Sequence, residues 1–198
     1  MRLAFVFILF VLSGCATRSV DTGGQVSYEE REQRWQANQK RLNRLQTWQM
    51  TGRLNLKVPD RSGTMSVDWR QQSDRYKLFL DGPFGASIAR ISGDHQGVSV
   101  TASDETRYGP SPELLLYSLT GWQFPVSHLR FWIKGLPAPG GDARITLNDL
   151  GYPEKIKQAG WDIVYQQYGL GKGQRLPTRL VVSKGDVRLS LVVNNWQF

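Results

Sequence analysis

From Thr47 onward, apolar and polar positions alternate with a period of two. Trp48, Met50, Leu54, Leu56 and Val58 fall on one face and Gln49, Thr51, Arg53, Asn55 and Lys57 on the other, which predicts an antiparallel strand with one buried side. A turn-forming stretch, Pro59 to Gly63, follows, and Met65, Val67 and Trp69 resume the alternation. Further strands are predicted at Tyr76 to Leu80, Ser87 to Ile91, Val98 to Ala102, Ala143 to Leu147, Lys155 to Lys157, Trp161 to Gln167, Leu180 to Ser183 and Val187 to Val193. Ser183-Lys184-Gly185-Asp186 reads as the hairpin turn between the last two. About ten short strands joined by turn signals predict a meandering sheet that curls toward a barrel.

Three segments carry a helical signal instead. Ser27 with Glu30 three residues on forms a capping box, and Tyr28, Trp35, Leu42 and Leu45 fall near one face of the helix it starts. In the middle of the chain Ser111-Pro112-Glu113 caps a second helix that Gly121 ends, and Val126 to Lys134 forms a third, stopped by Gly135 and Pro137. The last two are apolar for their length. They either plug the barrel or lie as a lid over a cavity.

The N-terminus has a different pattern. Met1-Arg2 precedes an unbroken apolar run from Leu3 to Leu12, and Ser13-Gly14 leads to Cys15. Ten apolar residues are half of what a spanning helix needs, so residues 1–14 read as a cleavable export signal. The small pair before a lone cysteine resembles the lipobox of bacterial lipoproteins. Cys15 would then become the first residue, carrying S-diacylglyceryl and N-acyl groups, which anchor stably where one chain would not. Ala16 follows where inner-membrane lipoproteins commonly carry Asp, so by that sorting rule the destination is the outer membrane, on its periplasmic face. Residues 15–26 form the lipidated end and a tether. At about 3.5 Å per residue it reaches roughly 35 Å.

Composition adds two constraints. One cysteine among 198 residues cannot form an internal disulfide. The net charge is +8, and loss of Arg2 with the signal leaves +7, which attracts an anionic partner or surface. Nucleic acid fits poorly with a periplasmic location. His95 and His128 have no partner at metal-ligand spacing, and no nucleophile elbow, Walker loop or dinucleotide fingerprint is present. Gly169 to Gly173 is glycine-rich without phosphate-loop spacing and reads as a mobile turn. Neither a metal, a cofactor other than the covalent lipid, nor catalysis is expected.

The lipobox, the early Trp-containing helix, Asp81-Gly82-Pro83-Phe84-Gly85, Leu119-Thr120-Gly121-Trp122 with Pro125, Leu129 to Leu136 before Pro137, Leu176-Pro177 and Trp196 together resemble the LolB family of outer-membrane lipoprotein-localisation receptors. The most specific part runs from Leu119 to Pro137. The resemblance implies a mainly β fold over 27–198, an unclosed antiparallel β-barrel of about ten or eleven strands with helices covering an apolar cavity. It implies acceptance of acylated lipoproteins from the soluble periplasmic carrier LolA and their insertion into outer-membrane phospholipid, without nucleotide hydrolysis; a monomer is expected. A lipid-anchored module for another amphiphile and a structural lipoprotein with a filled barrel are the alternatives.

By resemblance, the loop Gly82-Pro83-Phe84-Gly85 protrudes and carries a hydrophobic residue used in delivery to the membrane. Leu is expected at its tip, and Phe84 departs from that in size though not in character. Composition alone makes this segment a turn, with Phe84 either exposed at its tip or folded back into a core. Candidates for an acyl-chain cavity, taken from the apolar faces, are Trp48, Met50, Leu54, Met65, Trp69, Leu78, Leu80, Trp132 and Ile133; the same pattern describes a packed interior.

Overall fold

A computed structural model describes residues 26–171 and 173–198. Cys15, the apolar run before it and residues 16–25 of the tether lie outside the described residues, as does Lys172. Helix α1 (Tyr28–Asn43) leads into strands β1 (Thr47–Val58), β2 (Arg61–Gln72), β3 (Arg75–Asp81), β4 (Ser87–Gly93), β5 (Val98–Ala102) and β6 (Glu105–Gly109). Helices α2 (Pro112–Thr120) and α3 (Val126–Trp132) follow. The chain then returns through β7 (Ala143–Leu147), β8 (Pro153–Gln158), β9 (Trp161–Gly171), β10 (Gln174–Lys184) and β11 (Val187–Gln197).

All eleven strands form one antiparallel sheet in the order β6-β5-β4-β3-β2-β1-β11-β10-β9-β8-β7. Two meanders are thus joined where β1 pairs with β11, from Gln49 opposite Gln197 to Lys57 opposite Arg188. The edge strands β6 and β7 do not pair with each other, so the barrel is unclosed. Alternating strand direction places the β1–β2, β3–β4, β5–β6, β8–β9 and β10–β11 turns at one end of the sheet. Phe84 lies in one of them, and that end is called the Phe84 end below.

The β1–β11 seam requires one particular residue. The register shifts between Thr51 and Gly52, and a Cβ on Gly52 would lie 2.2 Å from the Val192 carbonyl oxygen. Only glycine permits so close a backbone approach.

Several local features differ from the sequence reading. Strand β2 begins at Arg61, so the turn after β1 is only Pro59-Asp60. Strand β6 has no apolar alternation, because nearly all of it is exposed at the sheet edge and it is held by pairing with β5. Gly169 and Leu170 extend β9 opposite Leu176 and Arg175 rather than forming a turn. The Ser27 hydroxyl accepts from the Glu30 amide at 3.1 Å, but the Glu30 carboxylate turns to Arg34 at 2.6 Å, so the capping box is half made. Tyr28 is exposed, and Trp35, Asn38 and Leu42 are the residues α1 buries. Helix α3 stops at Trp132, with Gly135 taking the left-handed conformation just beyond it.

Candidate functional site

The inner face of the sheet and the two middle helices enclose an apolar cavity of about 340 Å³. Strand β1 contributes Met50, Leu54, Leu56 and Val58, and β2 contributes Met65, Val67 and Trp69. Strands β3 and β4 add Leu78, Leu80, Ile88, Ala89 and Ile91. From the other meander come Leu180, Val182, Leu189 and Leu191, and the helical segment closes the remaining side with Leu116, Trp122, Phe124, Val126, Leu129 and Ile133. Arg61, Ser62 and Thr120 are the polar side chains of the lining. Arg61 and Ser62 adjoin the β1–β2 turn, so the cavity reaches the Phe84 end. Period-two alternation is what aims these side chains inward, since every second residue of a strand shares a face.

Seven of the nine cavity residues expected from sequence line it: Met50, Leu54, Met65, Trp69, Leu78, Leu80 and Ile133. Trp48 and Trp132 are absent from the lining. Trp48 lies behind Trp69, with its ring 5.7 Å from that of Trp69 and 5.6 Å from that of Trp196. Trp132 is fully buried against β8, where its indole N–H donates to the Gln158 side chain at 2.9 Å. Both sit on apolar faces, which is why the alternation alone does not separate them from the lining. The β10 and β11 residues follow the same alternation and were open to the same inference. Trp122 and Phe124 lie in the irregular α2–α3 link, where no period marks them.

The helices act as both plug and lid. Gln158, buried in β8, accepts from Trp132 Nε1 and from the Ala138 amide at 2.8 Å, and donates to the Ala138 carbonyl at 2.7 Å. One side-chain amide therefore ties α3 and the segment after it to the sheet. The Tyr165 hydroxyl donates to the Trp132 carbonyl at 2.8 Å. On the exposed side, α2 and α3 are joined by Glu113, whose carboxylate accepts from the Ser127 amide at 2.7 Å and its hydroxyl at 3.2 Å. That satisfies a first-turn amide of α3 where Pro125, at its N-cap, offers no side-chain bond. Lys134, just past α3, is buried and donates to the Leu45 carbonyl at 3.2 Å. Burial, and secondarily the Arg130 charge, lowers its pKa to about 8.

Phe84 is fully exposed, at 109% of its reference area. It sits in a single 3-10 turn, Pro83–Gly85, at φ 59° and ψ 21°, the left-handed region where a bulky residue is strained. The turn is firmly built: Gly82 N–H donates to the Ala86 carbonyl at 2.7 Å, and Arg90 pairs with Asp81 at 2.7 Å at its base. The side chain stands clear of the body and cannot belong to a core. Ile88, also exposed, follows in β4. A larger groove of about 1030 Å³ opens at the opposite end of the sheet, with Arg70, Arg75, Lys77 and Tyr108 in its lining. Its open walls mix charged and polar side chains with Tyr76, Val98 and Tyr108.

The family model described as "Outer membrane lipoprotein LolB" matches residues 46–196. The chain belongs to the LolB family. That match spans every cavity residue and the Phe84 loop. A LolB from Alkalilimnicola ehrlichii is 38% identical over 188 residues, covering 94% of this chain and 91% of the relative. One from Pseudomonas aeruginosa is 36% identical over 195 residues, covering 96% and 92%. All carry the name outer-membrane lipoprotein LolB. Among solved structures, a putative outer-membrane lipoprotein-sorting protein domain from Vibrio parahaemolyticus aligns with TM-score 0.54 at 10% identity, covering 85% of this chain and 93% of that one. A LolA-superfamily protein from Nitrosomonas europaea aligns with TM-score 0.52 at 9% identity, covering 83% and 93%. These two share the fold. The LolB sheet described above is therefore an open-barrel scaffold also used outside the family. No helix among the described residues is long and apolar enough to cross a membrane.

Proposed function

We propose that this LolB-family chain takes acylated lipoproteins from the soluble periplasmic carrier LolA, holds their acyl chains in the apolar cavity and delivers them to outer-membrane phospholipid. The observation that carries this reading is an almost wholly apolar cavity reaching the end of the sheet where Phe84 stands exposed. At about 0.8 kcal/mol per methylene, a 16-carbon chain resists transfer to water by roughly 12 kcal/mol. Three chains multiply that figure, so release into water is too slow to serve and cargo must pass directly between apolar surfaces. No energy source is needed if each acceptor binds more tightly than the last: carrier, this cavity, then bilayer.

In this reading Phe84 enters the bilayer first, because an exposed aromatic on a rigid turn gains apolar transfer energy without unfolding anything. Cys15, bearing S-diacylglyceryl and N-acyl groups, keeps the domain at the membrane through the tether. The test is transfer of an acylated lipoprotein from LolA to the purified chain, compared with Ala89→Trp, which fills the cavity from β4. The reading expects Ala89→Trp to fold and to lose uptake. Undiminished uptake by that variant, or uptake of unacylated cargo as readily as acylated, contradicts it.

A further inference from the structure

Toward the Phe84 end, the outer face of the sheet holds two like-charge pairs, each placed directly opposite across neighbouring strands; a third, Arg70 opposite Lys77, lies toward the other end, where Asp68 holds Arg70 at 2.8 Å. Lys57 faces Arg188 across β1 and β11, and Arg144 faces Lys157 across β7 and β8. All four are exposed. Like charges directly opposite weaken a ladder, so the fold gains nothing from either pair. The two pairs also share one row. Arg188 lies opposite Ser183, Ser183 opposite Asp162, and Asp162 opposite Lys157. The row thus crosses six adjacent strands, roughly 24 Å at about 4.8 Å per strand.

Each residue of this row is next to the last at its strand's end: Lys57 before Val58, Arg188 after Val187, Lys157 before Gln158 and Arg144 after Ala143. The strip therefore runs one residue below the rim, at the Phe84 end, and long Lys and Arg stems reach past that distance. Its one carboxylate, Asp162, is already held by Lys155 at 2.9 Å and Lys157 at 3.5 Å. Lys57, Arg144 and Arg188 make no ion pair among the described residues. Arg61 and Lys184 add charge beside the strip, against Asp60 and Asp186 in the adjoining turns.

We propose that this strip is a docking surface for the anionic phospholipid headgroups of a bilayer, engaged as Phe84 enters the apolar layer. A row of four cations, of which Lys57, Arg188 and Arg144 are unpaired, with no pocket beside them, matches a planar, diffuse anionic surface, and the exposed apolar tip at the same end points to the same membrane. The proposal rests on the delivery reading above and adds the class of lipid to it.

The test uses the chain from residue 15 with Cys15→Ser, which keeps every described residue and removes the anchor. Its binding is measured by co-flotation with phosphatidylcholine vesicles, with and without about one-third phosphatidylglycerol. At about fivefold per cation near such a surface, Lys57→Gln with Arg188→Gln should weaken binding to the anionic vesicles by tenfold or more and leave phosphatidylcholine binding unchanged. Arg144→Gln with Lys157→Gln should do the same. The charge-conserving pair Lys57→Arg with Arg188→Lys should retain full binding. Relief of like-charge contact should keep the melting temperature of the Lys57 and Arg188 variant at or above that of the parent, so a folding failure does not obscure the result. Undiminished affinity of both Gln pairs for anionic vesicles overturns the proposal. So does undiminished affinity combined with slower uptake from LolA, which assigns the strip to a protein partner. Phe84→Glu serves as the separate check on delivery: if it binds both vesicle types normally while the Gln pairs lose the anionic preference, the strip stands and the delivery reading fails.

Discussion

Gln158→Ala removes a side chain that, together with Tyr165, fastens the helical cover to the sheet. Its amide makes three well-formed hydrogen bonds, at 2.9 Å to Trp132 Nε1, 2.8 Å to the Ala138 amide and 2.7 Å to the Ala138 carbonyl. Trp132, Ala138 and Gln158 are all buried. Truncation leaves two donors and one acceptor facing a void. Each buried unsatisfied group costs about 1–3 kcal/mol, and water entering the vacated space recovers part of that, so the loss should be about 3–5 kcal/mol. Against a typical total of about 5–15 kcal/mol, this is severe. Urea unfolding followed by tryptophan fluorescence should show a midpoint lowered by roughly 1.5–2.5 M at an unchanged slope near 2 kcal/mol/M. A loss under about 1 kcal/mol would refute the view that this amide ties cover to sheet. Gln158→Glu offers a second check. The carboxylate keeps the two acceptor roles but sets a charge against the Ala138 carbonyl, so it should destabilise more at neutral pH than in mild acid.

Three further outcomes follow from the same geometry. Gly52→Ala forces a Cβ to 2.2 Å from the Val192 carbonyl oxygen, and calorimetry should show it destabilised by about 2 kcal/mol or more, as the β1–β11 seam must shift. Lys134 has its pKa lowered to about 8 on folding, so the unfolded chain binds the extra proton between there and its ordinary value. Stability should therefore rise with pH from about 8 toward 10, a rise that Lys134→Met abolishes; above 10, tyrosines held protonated by burial, among them Tyr76 with its pKa raised to about 12, reverse the trend. Phe84→Gly relieves a left-handed backbone at a fully exposed residue and should raise stability by about 0.5–1 kcal/mol, whereas Phe84→Glu should leave the melting temperature unchanged. Both should keep uptake from LolA and lose delivery to vesicles; joint loss of uptake and stability would make Phe84 structural.

Strands whose inner faces pack on the cavity were legible because burial imposes the alternation that a sequence displays. β6 was not: at an edge, exposed almost throughout, it answers to backbone pairing with β5, which leaves no apolar trace. Gly169 misled for the converse reason. Glycine has no side chain to declare a face, and its extended pairing with Leu176 depends on a strand that comes later in the chain. Among the cavity candidates, Trp48 and Trp132 looked like their neighbours. What removes them is depth behind Trp69 and a bond to Gln158, both properties of packing between distant segments. Phe84, by contrast, was readable from Gly82-Pro83 and Gly85 around it, since turn chemistry is local. Gln158 gave no signal at all in the sequence, because its partners lie in a loop that only the fold brings near.

The central claim is that acyl chains occupy the cavity between the inner sheet face and helices α2 and α3. Its most direct test is a lipoprotein bearing a photoreactive group near the end of one acyl chain, handed from LolA to this chain and irradiated. Crosslinks should map to cavity-lining residues such as Met65, Leu54 and Leu129, and Ala89→Trp should suppress them. Crosslinks confined to the outer face, or to the groove around Arg75 and Tyr108 at the opposite end, would contradict the account.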